Sequence, residues 1–226
     1  MDGPAILIFI FFIALVVAAG IAASIAAKKR REAFASLARR LGLSFSADHD
    51  REIARQYQFL DKLAQGSNRY AYNVVSGNFH GHSIAAFDYH FQTESRDSKG
   101  NRQTHHHHFS FFILHLERSF PELTIAREGF FSKIAQAFGY DDIDFESHEF
   151  SRRFCVRSKD KKFAYDVCNA RMIEFLLAND DFSIEIEGPA LAMAFSGCLK
   201  PEAIEGNLRR LMQLRSLMPD YLFAAA

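Results

Sequence analysis

Seven of the ten histidines, His80, His82, His90 and the run His105–His108, fall in one short stretch with Asp88 among them. Imidazole and carboxylate ligands of this kind suit Zn²⁺, Ni²⁺ or Fe²⁺, and three of them converging beside an open position would make a metal-dependent hydrolase. The candidate ligands are His82, Asp88, His90, His106 and His108, because two paired strands would bring alternate residues of the run toward the other three. The chain carries no HExxH, and no two histidines stand one turn apart on an expected helix. A polar sheet edge, where His is tolerated and discourages edge pairing, is the plainer alternative.

A second group is the acidic stretch DDIDFESHEFSRR, with Asp141, Asp142, Asp144, Glu146 and Glu149 ahead of Arg152 and Arg153. Paired carboxylates could do acid–base work or hold Mg²⁺. Asp144 or Ser147 would equally serve as a helix cap, and Glu149 stands at the spacing of stabilising helical pairs with the arginines. The thiols Cys155, Cys168 and Cys198 are odd in number and widely spaced, without CxxC, as expected of reduced cysteines. Ser76-Gly77 and Ser196-Gly197 lack the glycine pattern of a nucleophile elbow, and no GxGxxG, Walker loop or kinase signature is present. The residues therefore favour a non-enzymatic binding or scaffold domain without cofactor; the metal-dependent hydrolase with a divalent transition metal is the alternative.

The elements that position these groups begin with a membrane segment. Residues 5–27 read AILIFIFFIALVVAAGIAASIAA, 23 residues without a charge. As a helix they would cover about 35 Å, enough for a hydrocarbon core of about 30 Å. Ahead of it Met-Asp-Gly-Pro carries no cation, unlike a cleaved signal, and KKRR follows as a stop-transfer flank. Lys28, Lys29, Arg30, Arg31, Arg39 and Arg40 all lie C-terminal to the span. The positive-inside rule then puts the short N-terminus, residues 1–4, outside and the large C-terminal part in the cytoplasm. Residues 28–42 form a basic juxtamembrane helix with Phe34, Leu37, Ala38 and Leu41 on one face. Its cations would lie against anionic headgroups, or serve topology alone while the apolar stripe packs on the next domain. With 27 basic against 27 acidic residues overall, nothing calls for nucleic acid. The partners expected are the bilayer, anionic lipid headgroups or another membrane protein.

Residues 43–226 are one domain or two lobes, about 43–140 and 141–226. Residues 48–65 read as a helix, residues 69–91 as a hairpin about Gly77–Gly81, and 105–117 and 123–128 as two strands parted by a turn at Ser119–Pro121. GFFSKIAQAFG (129–139) reads as a short helix. Residues 161–179 form an amphipathic helix, FSIEIEG and ALAMAFSG two strands about Gly188–Pro189, and Pro201 opens a long helix. Grouped antiparallel strands with appended helices make the class α+β. The basic patch Lys159–Lys162 with Arg152, Arg153 and Arg157 is a solvated face or a second lipid contact.

The stretch GNFHGHSIAAFDYHF, the Phe109-Ser110-Phe111-Phe112 strand, DIDFESHEFSRRFCV and RMIEFLL together resemble an uncharacterised group of bacterial proteins with one N-terminal span and a soluble C-terminal domain. The resemblance covers residues 30–220 and implies a bacterial plasma membrane, but no activity or cofactor. Its shared pattern holds Phe87-Asp88-Tyr89 and residues 142–147; the His105–His108 run lies outside it, which weakens the metal reading.

Overall fold

The computed structural model describes residues 3–98, 100–127 and 142–224, with side chains from residue 11 onward. The helix expected at 129–139 and Asp141 lie outside these residues. With no Gly or Pro to interrupt it between Lys28 and Leu41, the apolar span runs into the basic segment as one helix, α1, Gly3–Leu41. Gly42 ends it at φ 70°, where Gly42 N donates to Arg39 O (3.2 Å) and Leu43 N to Ala38 O (2.8 Å), the paired bonds of a Schellman cap.

The strands are β1 Ser44–Ser46, β2 Ser67–Phe79, β3 His82–Arg96, β4 Arg102–Arg127, β5 Phe154–Ser158 and β6 Ser183–Ser196. They form one antiparallel sheet in the order β1-β2-β3-β4-β5, with β6 paired to β4. The hairpin β2–β3 turns at His80 and Gly81, both at positive φ, as a two-residue loop matched to strand twist requires. The helices are α2 Arg51–Gln56, α3 Asp61–Ala64, α4 His148–Arg153, α5 Lys161–Val167, α6 Ala170–Ala178 and α7 Pro201–Leu217. The class is α+β, as the pattern of elements implies.

Four expectations differ in detail. Residues 48–65 give two short helices, the first capped by Asp50, whose carboxylate accepts from Glu52 N (2.8 Å) and Ile53 N (3.1 Å). Residues 161–179 break at Cys168–Asn169, where Asn169 accepts from Met172 N (3.2 Å) and starts α6 afresh. The turn expected at Ser119–Pro121 is instead an irregularity inside β4, with register shifts on both sides of Phe120. Likewise Gly188–Pro189 lies within β6, and Phe120 pairs with Gly188. Gly188 thus lies opposite the residue that precedes Pro121, so the β4–β6 ribbon bends as a unit and stays paired on both sides of the bend. The bend is sharp. Ser183 Oγ donates to Ala194 O (3.5 Å) and Phe182 meets Phe195 at 5.6 Å between centroids, although both pairs lie at opposite ends of one strand.

Alternation divides the sheet into two faces. Phe87, Tyr89, Phe91, Phe111 and Ile113 pack under α2 and α3 with Leu60 and Leu63. On the opposite face Ile84, Ala86, Phe112 and Leu114 join the larger core with Phe34 and Leu37 of α1, Met172 of α6, and Leu208 and Leu211 of α7. A boundary near residue 140 does not divide this core. Leu43 touches Gly77, Phe34 stacks on Phe45 (5.3 Å), and Arg30 reaches Asp88. Through the register Gly77↔Ile84, Phe45↔Val75↔Ala86 and Asp88, α1 thus advances along β3 toward its Gln92 end as it runs back to the apolar span.

Candidate functional site

Asp88 sits on the α1 face of β3 in the row Ile84, Ala86, Asp88, and it is fully buried. A carboxylate there must be satisfied by the protein, because desolvation otherwise makes its charge very costly. Three groups meet it: Arg30 Nη2 at 3.0 Å, Asn73 Nδ2 at 2.7 Å and the backbone N–H of Leu199 at 2.5 Å. Arg30 Nη2 also donates to Leu199 O at 2.8 Å. Asn73 reaches Asp88 because β2 bulges there: the register shifts between Tyr72 and Val75, and Asn73 takes φ 50°, which Asn tolerates. One carboxylate therefore ties together α1, two strands and the segment leading into α7.

Arg30, expected at the lipid surface, is thus turned into the domain, its guanidinium also 5.0 Å from the Phe34 ring centroid. Phe34 is fully buried, and Leu37 and Ala38 nearly so. The apolar stripe packs on the domain, as one of the two readings of this segment had it. Arg40 pairs with Glu205 of α7 at 2.6 Å, whereas Lys28, Lys29, Arg31 and Arg39 are exposed. From Phe11 to Lys29 α1 is exposed throughout, and the helix is long and apolar enough to cross a membrane, with a mean hydropathy of 2.2 over an 18-residue window.

The five candidate metal ligands do not come together. His82 stands near the hairpin turn with Nδ1 3.8 Å from Glu117, and Asp88 is committed to Arg30. His90 and His106 do meet, Nε2 to Nδ1 at 3.0 Å, and His108 Nδ1 bonds the Tyr72 hydroxyl at 3.2 Å. Rings pack in this layer: Tyr70 stacks on His49 (4.2 Å) and on His90 (4.6 Å). Burial holds His90 below the usual imidazole range, and the adjacent His108, His106 and His49 push the same way. Among the described residues no group of three or more His, Cys, Asp or Glu is placed to hold a metal ion. The layer is a polar and aromatic continuation of the sheet beyond Asp88.

In the acidic stretch, Ser147 caps α4 by accepting from Phe150 N (3.3 Å), and Glu149 pairs with Arg153 at 3.1 Å, both as helix structure demands. Arg153 also meets Asp180 (2.6 Å), Arg157 meets Asp142 (2.9 Å) and Lys159 meets Glu122 (3.3 Å), so these three cations of the basic patch are paired locally. Cys168 is buried, which pushes its thiol up to about 12, and it behaves as a small apolar side chain. Cys155 donates to Asp142 (2.7 Å).

Sequence reasoning passed over a second buried polar group. Glu185 of β6 is wholly enclosed and accepts from the backbone N–H groups of Asp61 and Lys62 at the start of α3. Burial raises Glu185 to about 8 and Asp61 to about 6, and lowers the neighbouring Lys62 to about 8. In FSIEIEG it alternates with Ile184 and Ile186, yet both faces of this part of β6 are covered.

No protein-family model matches this chain, and no curated protein matches it significantly. Its fold is similar to the crystal structure of the mycobacterial trehalose monomycolate transport factor A, TtfA, with a TM-score of 0.58 at 15% identity, covering 84% of this chain and 95% of that one. The likeness extends over nearly the whole domain of that protein and concerns the fold.

Proposed function

We propose that this chain is a membrane-anchored accessory protein without catalytic activity, whose α+β domain presents a binding surface at the cytoplasmic face of a bacterial plasma membrane. The observation that carries this reading is the continuity of α1: its exposed apolar part and its buried part, Phe34 to Ala38, are one helix locked to the sheet through Arg30 and Asp88. Such a join holds the domain at a fixed attitude to the bilayer instead of leaving it on a flexible leash. The positive flank supports the cytoplasmic placement. The structural neighbour is by its name a transport factor, and a membrane protein engaged in transport is accordingly the partner proposed here. A reporter that works only in the cytoplasm, fused after residue 226, should be active in the membrane fraction, and site-specific cross-linkers on the domain should trap a membrane protein. Activity solely from an exported reporter would overturn the orientation.

A further inference from the structure

Arg51 and Arg55 of α2 and Arg69 of β2 surround a hollow of about 460 Å³, floored by Ala54 and the turn Gly66-Ser67-Asn68. Arg51 and Arg55 stand one turn apart on the same helix face, a like-charge spacing that is unfavourable unless an anion lies between them. Glu52 pairs with Arg55, while Arg51 has no ion pair among the described residues. Arg69 Nη1 donates to Ala64 O, which fixes its guanidinium at the rim. The floor is set by close packing: Gly66 and Asn68 are both at positive φ, and a Cβ on Gly66 would come within 2.3 Å of Gln92 O.

The hollow lies at one particular end of the sheet. Ser67 pairs with Gln92, beyond Asp88 in the direction in which α1 runs back to its apolar span. The three guanidiniums therefore gather at the end of the domain from which the membrane segment departs. Planar, always-charged guanidinium groups match phosphate oxygens two at a time. We infer that this hollow binds a phosphate-bearing anion, with the headgroup of an anionic membrane lipid as its source; the inference rests on the membrane attachment proposed above.

The test uses the full chain in nanodiscs of phosphatidylcholine alone or of equal parts phosphatidylcholine and phosphatidylglycerol, with flotation to confirm insertion and circular dichroism to follow melting. Anionic discs should raise the melting temperature by about 2–4 °C. The pair Arg51→Gln and Arg55→Gln should lose most of that gain while still floating, whereas Lys28→Gln with Lys29→Gln should keep most of it. A full gain in the Arg51 and Arg55 variant, or no gain in the wild type, overturns the inference. An equal gain from inorganic phosphate added to neutral discs overturns the headgroup as source and keeps the anion site. A chain that fails to float refutes the membrane attachment separately, and the phosphate arm then still tests the hollow.

Discussion

Arg30 and Asp88, 58 residues apart in the chain, meet with Nη2 3.0 Å from Oδ2 on the face of the sheet that α1 covers. The Asp88 side chain is wholly buried and that of Arg30 is 37% exposed, so the carboxylate is the costlier partner to leave alone. Replacing Arg30→Met should destabilise the domain by about 2 kcal/mol, below the 3–5 kcal/mol of a fully buried pair because Asn73 and Leu199 still serve the carboxylate. Adding Asp88→Asn should recover part of that loss. Urea unfolding of the full chain in micelles measures both, and strictly additive effects would mean that the pair is not coupled.

Phe34 anchors the docked end of α1, and Phe34→Ala should cost about 3–4 kcal/mol by opening a cavity beside Phe45. Phe11→Ala, on the exposed part, should leave unfolding of the domain unchanged. Limited proteolysis near Gly42 offers a second readout, since undocking exposes the cap. If both substitutions have equal effect, the division of α1 into membrane and domain parts fails.

Glu185 and Asp61 both have raised pKa values in the fold, to about 8 and about 6. The folded state binds their protons more tightly than the unfolded chain, so their contribution to stability is fully present below the ordinary carboxylate range and is lost as pH rises toward 8. Lys62 stays protonated in both states over most of that interval. Melting temperatures recorded from pH 5 to pH 8 should therefore fall more, or rise less, in the native chain than in a chain lacking the Glu185 carboxylate; the lowered His90 acts in the opposite sense in both. Glu185→Gln, which can still accept from the Asp61 and Lys62 amides, supplies that comparison. Identical profiles in the native and Glu185→Gln chains would contradict the buried carboxylate.

Asp88 is spent on Arg30, and His90 and His106 bond each other. The purified chain should accordingly carry no stoichiometric transition metal. Elemental analysis decides: one equivalent of metal, lost on changing His90→Ala and His106→Ala, would restore the hydrolase reading.

What could be read in advance depended on how local each signal is. The membrane-length helix, the β2–β3 hairpin and α7 follow from periodicity and caps within a few turns of chain, and each forms. Pro121 and Gly188 looked like turns because both are breakers, yet Gly188 pairs with Phe120, next to Pro121, and the two bend a paired ribbon together. Pairing of that kind is invisible to a window sliding along the chain. Arg30 looked like its neighbours Lys29 and Arg31, and only the distant Asp88 distinguishes it. Asp88 itself gave a warning, being a charge in the otherwise apolar row of Ile84 and Ala86, and such a charge calls for a partner.

The Asp88 cluster also sets an order of events during synthesis. Arg30 and Leu199, which bond each other there, are separated by 169 residues. At the usual pace of translation that interval lasts about 10–30 s. The nascent anchor has left the ribosome long before the backbone amide that completes its socket has been made. With the membrane attachment proposed above, the last fastening of the domain closes on a polypeptide already tethered to lipid, and its maturation is then a surface reaction and not one of free diffusion.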